Sequence, residues 1–396
     1  MYRPSPEFQK KLDKQNTPDL LEAKAIKLEW NRLKRRRNIA AHAIAGVALL
    51  GFTVGHYIQD AEENKAIQAE ASISVQVEGQ ALDPANNDNA LVFIDGFRSY
   101  NADTLTEFMT KAVQPVIDGQ SWSVGYNNAP LVPKDIAKNI IDLADGKGVH
   151  SVVLVGYSAG GDISMQVQED IHNDSNLEVK AIVLTSTPDG AKALRPASQD
   201  SINLVEKLSW IPEIQYSSYL RFMGELAFRA DRYNAGTPIE NARNFITTWN
   251  EVDADFESSK VAGTWLMFDQ MLAIQNSDLK ARFNELKKLP PQVVHPTVVY
   301  LGTAKPGRDY MVDSQQSSDN IKKYAKAEAG SKEVSIPFFS YDVKGAIHTR
   351  IDIANDEYIK TLAAAKQDIQ ASIAKQEANA SLHRVTSMIA RPGSPN

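Results

Sequence analysis

From Ala90 onward the chain alternates between two kinds of hydrophobic pattern. Continuous apolar runs occur at LVFID (91–95), WSVGY (122–126), SVVLVG (151–156) and KAIVLTS (180–186). Between them, near 103–117, at 133–145 and from 159 onward, apolar residues recur at helical spacing among polar ones. An unbroken apolar run reads as a strand buried on both faces, and such strands belong to a parallel sheet covered by helices. The pattern predicts an α/β architecture.

The alternation stops at about Pro188. Residues 196–290 show only helical periodicity and carry large side chains, among them Trp210, Tyr216, Phe222, Phe245, Trp249, Trp265, Met267 and Met271. Strands resume at TVVYLG (297–302) and SIPFFSY (335–341), with a helix between them near 316–328. A helical cap of about 100 residues is therefore expected inside the α/β domain, with most of its large residues forming its own core. No internal repeat is seen. From about Asp356 the sequence turns into an Ala/Lys/Gln/Glu-rich helix that ends in a flexible RPGSPN tail, so the domain is expected to span 90–355.

Ahead of this domain, residues 59–89 are polar, hold one short strand at Ser72–Val77 and end in the turn-rich DPANNDN, a linker composition. Before the linker, Asn38–Ile58 is a 21-residue stretch without a formal charge. At about 1.5 Å per helical residue it covers a hydrocarbon core of roughly 30 Å. The competing reading is a buried helix of the soluble part. The basic cluster Lys34–Arg37 lies on one side and Asp60, Glu62 and Glu63 on the other, which orients the span with its N-terminus in the cytoplasm. The expectation is an uncleaved signal anchor and a single-pass cell-membrane protein with its main body outside the cytoplasm. Residues 1–37 would form a basic cytoplasmic segment whose part 6–34 reads as short amphipathic helices under the membrane.

Charge sharpens this division. Residues 1–37 carry 11 Lys/Arg against 5 Asp/Glu, so the net −6 of the chain leaves −12 on residues 59–396. An acidic body argues against a nucleic-acid partner, since neutralising phosphates needs clustered Lys and Arg. The chain has no cysteine, which removes disulfides and thiolate chemistry.

The sharpest chemical signal is Gly156-Tyr157-Ser158-Ala159-Gly160, where the strand SVVLVG meets a helix. A serine at such a bend is pushed out of the sheet, and positions two residues away must be small. Gly156 and Gly160 satisfy that need. The helix after Ser158 aims its N-terminus at the reacting centre, so the Ala159 amide can face a developing oxyanion. A second amide would come from Phe97, in the Gly96-Phe97-Arg98-Ser99 turn after LVFID. Of seven histidines only His348 sits in a small-residue loop, Gly345-Ala346-Ile347-His348, after a strand and before a helix. It is the candidate general base. The acid that orients it is placed after TVVYLG. Asp309 is preferred because Tyr-Met-Val follows it, while Asp313 and Asp189 stay open as alternatives. No histidine pair has HExxH-type spacing, so no metal is expected, and no cofactor.

With Ser158, Asp309 and His348 in this order on alternating strands and helices, residues 90–355 outside the inserted helices resemble the α/β-hydrolase superfamily. IDGF (94–97) looks like its oxyanion loop, GYSAG like its nucleophile elbow and GAIH like its histidine loop. The resemblance implies Ser158 as nucleophile, His348 as base, Asp309 as acid, and the Phe97 and Ala159 amides as oxyanion donors. Two features depart from it. Asp95-Gly96 stands where many members carry His-Gly, and the loop from Gly302 to Asp309 is longer than is common. The activity implied is hydrolysis of an ester or thioester with an apolar acyl part, a lipid presented by the same membrane being one candidate. The alternatives are an inactive hydrolase-like binding protein and a peptidase or amidase of the same fold.

Overall fold

A computed structural model describes residues 58–59, 61–218, 221–222, 225–226, 237–257, 262–303, 309, 311–327, 334–346, 348 and 351–389. The basic segment 1–37 and all but the last residue of the expected span Asn38–Ile58 lie outside these. No helix among the described residues is long and apolar enough to cross a membrane.

Seven strands form one sheet: β1 Ser74–Gly79, β2 Asn89–Ile94, β3 Gln120–Gly125, β4 Ser151–Tyr157, β5 Glu178–Thr185, β6 Thr297–Thr303 and β7 Phe338–Val343. Their spatial order is β1-β3-β2-β4-β5-β6-β7. β1 runs antiparallel to β3, and every other pair is parallel. Every residue of β2, β3 and β4 is buried, as an apolar strand sandwiched by helices must be.

The period of two along each strand divides the core. Val92, Trp122 and Leu154 pair in register across β2, β3 and β4 and face one layer. That layer is closed by Ile136 and Ile140 of Pro133–Lys147, Ile163 and Val167 of the elbow helix Ala159–Asp174, and Phe283 of Leu279–Lys287. Leu91, Phe93, Val153 and Val155 face the opposite layer, closed by Leu105 and Met109 of Asp103–Val113 and by the tail helix Asn355–Ile389.

Three boundaries differ from the sequence reading. β1 falls in the segment read as a linker, so the sheet begins ahead of Ala90; its residues alternate between partly buried and exposed, the weak pattern of an edge strand. The strand expected at 335–341 starts at Phe338, because Pro337 has no N–H for the ladder; its carbonyl still accepts from the Val298 amide at 2.8 Å. The tail helix is part of the core: Tyr358, Leu362, Ala365, Ile369 and Ile373 are buried against the sheet at spacings of three and four.

Between β5 and β6 the chain forms the cap, with helices Pro196–Leu208, Pro238–Glu257 and Thr264–Gln275. Trp265 and Met267 do not form a separate cap core but are buried in the layer that holds Val92 and Leu154, whereas Trp210 and Trp249 are 78% and 43% exposed.

Candidate active site

Ser158 sits between β4 and the elbow helix with φ 52° and ψ −123°, a conformation that costs a non-glycine residue about 1–3 kcal/mol. Its amide donates to the Thr185 carbonyl of β5 at 2.8 Å, which anchors the bend to the sheet. The flanking glycines follow from the tightness of the turn. A Cβ on Gly160 would stand 2.1 Å from the Ile94 carbonyl oxygen, and one on Gly156 would stand 2.5 Å from the Gly160 oxygen.

The serine hydroxyl lies 2.7 Å from Nε2 of His348, and Nδ1 of that ring lies 2.9 Å from Oδ2 of Asp309. Adjacent parallel strands explain the convergence: Asp309 follows β6 and His348 follows β7, and the two strands end together with Thr303 paired to Val343. His348 and Asp309 are both buried. Oδ1 of Asp309 accepts the amides of Met311 and Val312 at 3.0 and 2.8 Å, and Oδ2 also accepts from the Ser314 hydroxyl at 3.1 Å. Burial pushes this carboxyl up, but the bond to His348, the charge of that ring and the two amides outweigh it and hold Asp309 below its ordinary range.

The other two acid candidates have different work. Asp313 caps Ser314–Tyr324 by accepting from the Gln316 amide and pairs with Arg195 at 3.1 Å. Asp189 accepts from Asn320 and from the Tyr324 hydroxyl, both at 3.0 Å. Of the three, Asp309 is the one bonded to His348.

Gly96 brings the loop after β2 against the elbow. A Cβ there would lie 2.7 Å from the Tyr157 carbonyl oxygen and 3.1 Å from the Ala159 nitrogen. The Asp95 carboxylate accepts the Gly96 amide at 2.7 Å and so takes that donor away. Burial raises the Asp95 carboxyl against this bond and a second from Ser99. The Phe97 and Ala159 amides have no hydrogen-bond partner among the described residues and lie on the two segments that Gly96 presses together. That is the arrangement an oxyanion needs.

Two further residues escaped the sequence reading. The Tyr157 hydroxyl donates to the His348 carbonyl, holding the histidine loop to the elbow. Gln270, on cap helix Thr264–Gln275 and fully buried, accepts the Arg98 amide at 2.8 Å and donates to the Ser99 carbonyl at 3.1 Å. Neither carries a motif. Tyr157 could have been singled out only as the large residue inside GYSAG, and Gln270 only as one of four polar positions in a mostly apolar helix.

Beside Ser158 and His348 lies a cavity of about 50 Å³, walled by Leu194, Ile202, Met271, Ile274, Met311 and Val312. Among the described residues no group of three or more His, Cys, Asp or Glu side chains could hold a metal ion.

No protein-family model matches the chain, and no curated protein matches it in sequence. Solved structures similar to it include an esterase from Exiguobacterium antarcticum, at 13% identity, 76% of this chain and 98% of that one, with a TM-score of 0.44. A bromoperoxidase from Bacillus anthracis is similar at 12% identity over 74% and 93% of the two chains, with a TM-score of 0.43. A proline iminopeptidase from Mycobacterium smegmatis is similar at 12% identity over 78% and 97%, with a TM-score of 0.40. The mostly parallel sheet, the glycine-flanked elbow and the chain order of the three residues match the α/β-hydrolase fold.

Proposed function

We propose that this chain is a serine hydrolase that cleaves a carboxylic ester or thioester through an acyl-enzyme. The observation that carries the reading is the 2.7 Å contact of Ser158 with His348 on a strained bend, continued at 2.9 Å to Asp309. His348 removes the Ser158 proton as the hydroxyl attacks the carbonyl carbon. The Phe97 and Ala159 amides hold the resulting oxyanion. As the tetrahedral species collapses, the bond from carbonyl carbon to alcohol oxygen or thiol sulfur breaks, and the leaving group departs with the proton from His348. Water then repeats the sequence on the acyl-serine and releases the acid. Asp309 keeps the His348 ring in the required tautomer and stabilises it while it is charged.

The test is direct. Wild-type protein should turn over p-nitrophenyl esters and take up a fluorophosphonate label, and Ser158→Ala should lose both while keeping its circular-dichroism spectrum. Wild type that does neither leaves the binding-protein reading in its place.

Membrane tethering belongs to the same proposal. Its support is the uncharged run 38–58 between Lys34–Arg37 and the acidic residues that follow. A reporter fused after residue 60 should be active only outside the cytoplasm; activity inside would overturn the topology.

A further inference from the structure

Resting on the proposed hydrolase reading, the geometry of the cavity points to a substrate class: we infer that the site takes a short, uncharged acyl group of about two to four carbons. The acyl carbon must sit on Ser158 Oγ with its oxygen toward the Phe97 and Ala159 amides, so the rest of the acyl chain is directed into the adjoining cavity. That cavity measures about 50 Å³. One water needs about 10–15 Å³ on such a measure, and an apolar cavity of about 150 Å³ accepts the six carbons of benzene. About 50 Å³ therefore holds three or four non-hydrogen atoms, and a chain of eight or more carbons exceeds that volume.

The walls set the chemistry as firmly as the volume. Beyond the Ser158 and His348 side chains, the described lining is Phe97, Pro188, Leu194, Ile202, Met271, Ile274, Met311 and Val312, with Ser198 its one further polar side chain. Among the described residues no charged side chain lines the cavity to receive an α-ammonium or a second carboxylate, and burying either unpaired is costly. This separates the site from one built for an aminoacyl group, and so from a peptidase that recognises a free N-terminus. It also separates it from one built for a fatty acyl chain. On the cap side the cavity is walled by Met271 and Ile274, which lie on Thr264–Gln275 and are three positions apart on one helix face. These two side chains are the length gauge.

The experiment is a chain-length series of p-nitrophenyl esters, acetate, butyrate, octanoate and laurate, measured as kcat/KM on the whole chain in detergent. Wild type should be fastest on acetate or butyrate and at least about a hundredfold slower on laurate. Met271→Ala removes three non-hydrogen atoms from the wall and should raise the ratio of octanoate to acetate turnover by tenfold or more. Ile274→Val, a milder change in case the first variant folds poorly, should shift the preference in the same direction by a smaller factor. Equal or faster turnover of octanoate and laurate by wild type would overturn the short-acyl assignment while leaving the hydrolase intact. So would a Met271→Ala profile superimposable on that of wild type. Loss of all ester turnover together with fluorophosphonate labelling would sink the hydrolase reading itself, and the assignment with it.

Discussion

The side chain of Gln270 grips the backbone on both sides of the Arg98–Ser99 peptide, accepting the Arg98 amide at 2.8 Å and donating to the Ser99 carbonyl at 3.1 Å. Arg98 is in the left-handed region, with φ 72°, so the loop carrying Phe97 is held in a conformation it would not choose alone. The Ala262 amide adds a bond to the Arg98 carbonyl at 3.0 Å. A cap residue thus fixes the loop that carries Phe97, the proposed oxyanion donor. Gln270→Ala should lower kcat by about 10- to 100-fold with little change in KM, since small displacements of a donor cost factors of that order. Gln270→Glu keeps the acceptor and loses the donor, and should fall between. An equal fall in labelling, kcat and thermal stability for both variants would reduce Gln270 to a purely structural residue.

Asp309 and Asp313 are four residues apart, yet their substitutions should separate cleanly. Asp309→Asn leaves the shape but presents an amide to Nδ1 of His348, and kcat should drop by about 10⁴. Asp313→Asn should keep activity within a few-fold and lose at most about 1–2 kcal/mol from the cap and the Arg195 pair. The pH dependence follows from the depressed Asp309 carboxyl. The folded state holds the ionised form more strongly than the unfolded chain does, so its contribution is complete above about pH 4 and is lost as pH falls through the native value. Acid unfolding followed by circular dichroism should therefore be less steep in Asp309→Asn.

Gly160→Ala tests the bend itself. The new methyl would meet the Ile94 carbonyl oxygen at 2.1 Å, and the obstacle is backbone that cannot swing away. Relief requires β2 and the elbow helix to part, which should cost about 1–3 kcal/mol and remove fluorophosphonate labelling. Labelling at the wild-type rate would mean that the elbow tolerates a Cβ there.

Asp95 should show the opposite pH sign. Burial raises its carboxyl, so the native state favours the protonated form and stability declines as pH climbs from the unfolded value through the native one. Asp95→Asn retains an acceptor for the Gly96 amide, bonded at 2.7 Å in the wild type, and removes the charge. Its melting temperature should exceed that of wild type at neutral pH, and the gap should close at low pH. A gap that is constant with pH would show that the carboxylate ionises in the folded state without cost.

What could be read ahead of the structure was what local pattern encodes. The apolar runs of β2, β4, β5 and β6 announce themselves because both faces of each strand are buried, and Ser158 does so because its neighbours must lack a Cβ. His348 was found by elimination among seven histidines, and the choice among three carboxylates needed the junction of β6 with β7. β1 was weaker because an edge strand is only half covered. Gln270 had no local signal: its worth lies in reaching a loop 171 residues earlier in the chain. The tail helix was misjudged for a compositional reason. Its buried face includes Ala365 and Ala380 among larger residues, and alanine on an otherwise polar helix reads as propensity, not as core.

That last point has its own test. Leu362 and Ile369 of the tail helix are buried against the layer that contains Leu91, Val153, Val155 and Leu301. Deleting a buried leucine side chain to its Cβ costs about 2–5 kcal/mol when the surroundings cannot collapse, and this layer is backed by strands with no freedom to move inward. Leu362→Ala should therefore lower the denaturant midpoint by that amount, and Leu382→Ala, whose side chain is 65% exposed on the same helix, should leave it unchanged within about 0.5 kcal/mol. The rate of Ser158 labelling in folded Leu362→Ala should stay at the wild-type level, since its loss is one of stability and not of geometry. Equal, small effects from the two leucines would mean that the helix detaches in solution and that the sheet is covered on this side by Asp103–Val113 alone.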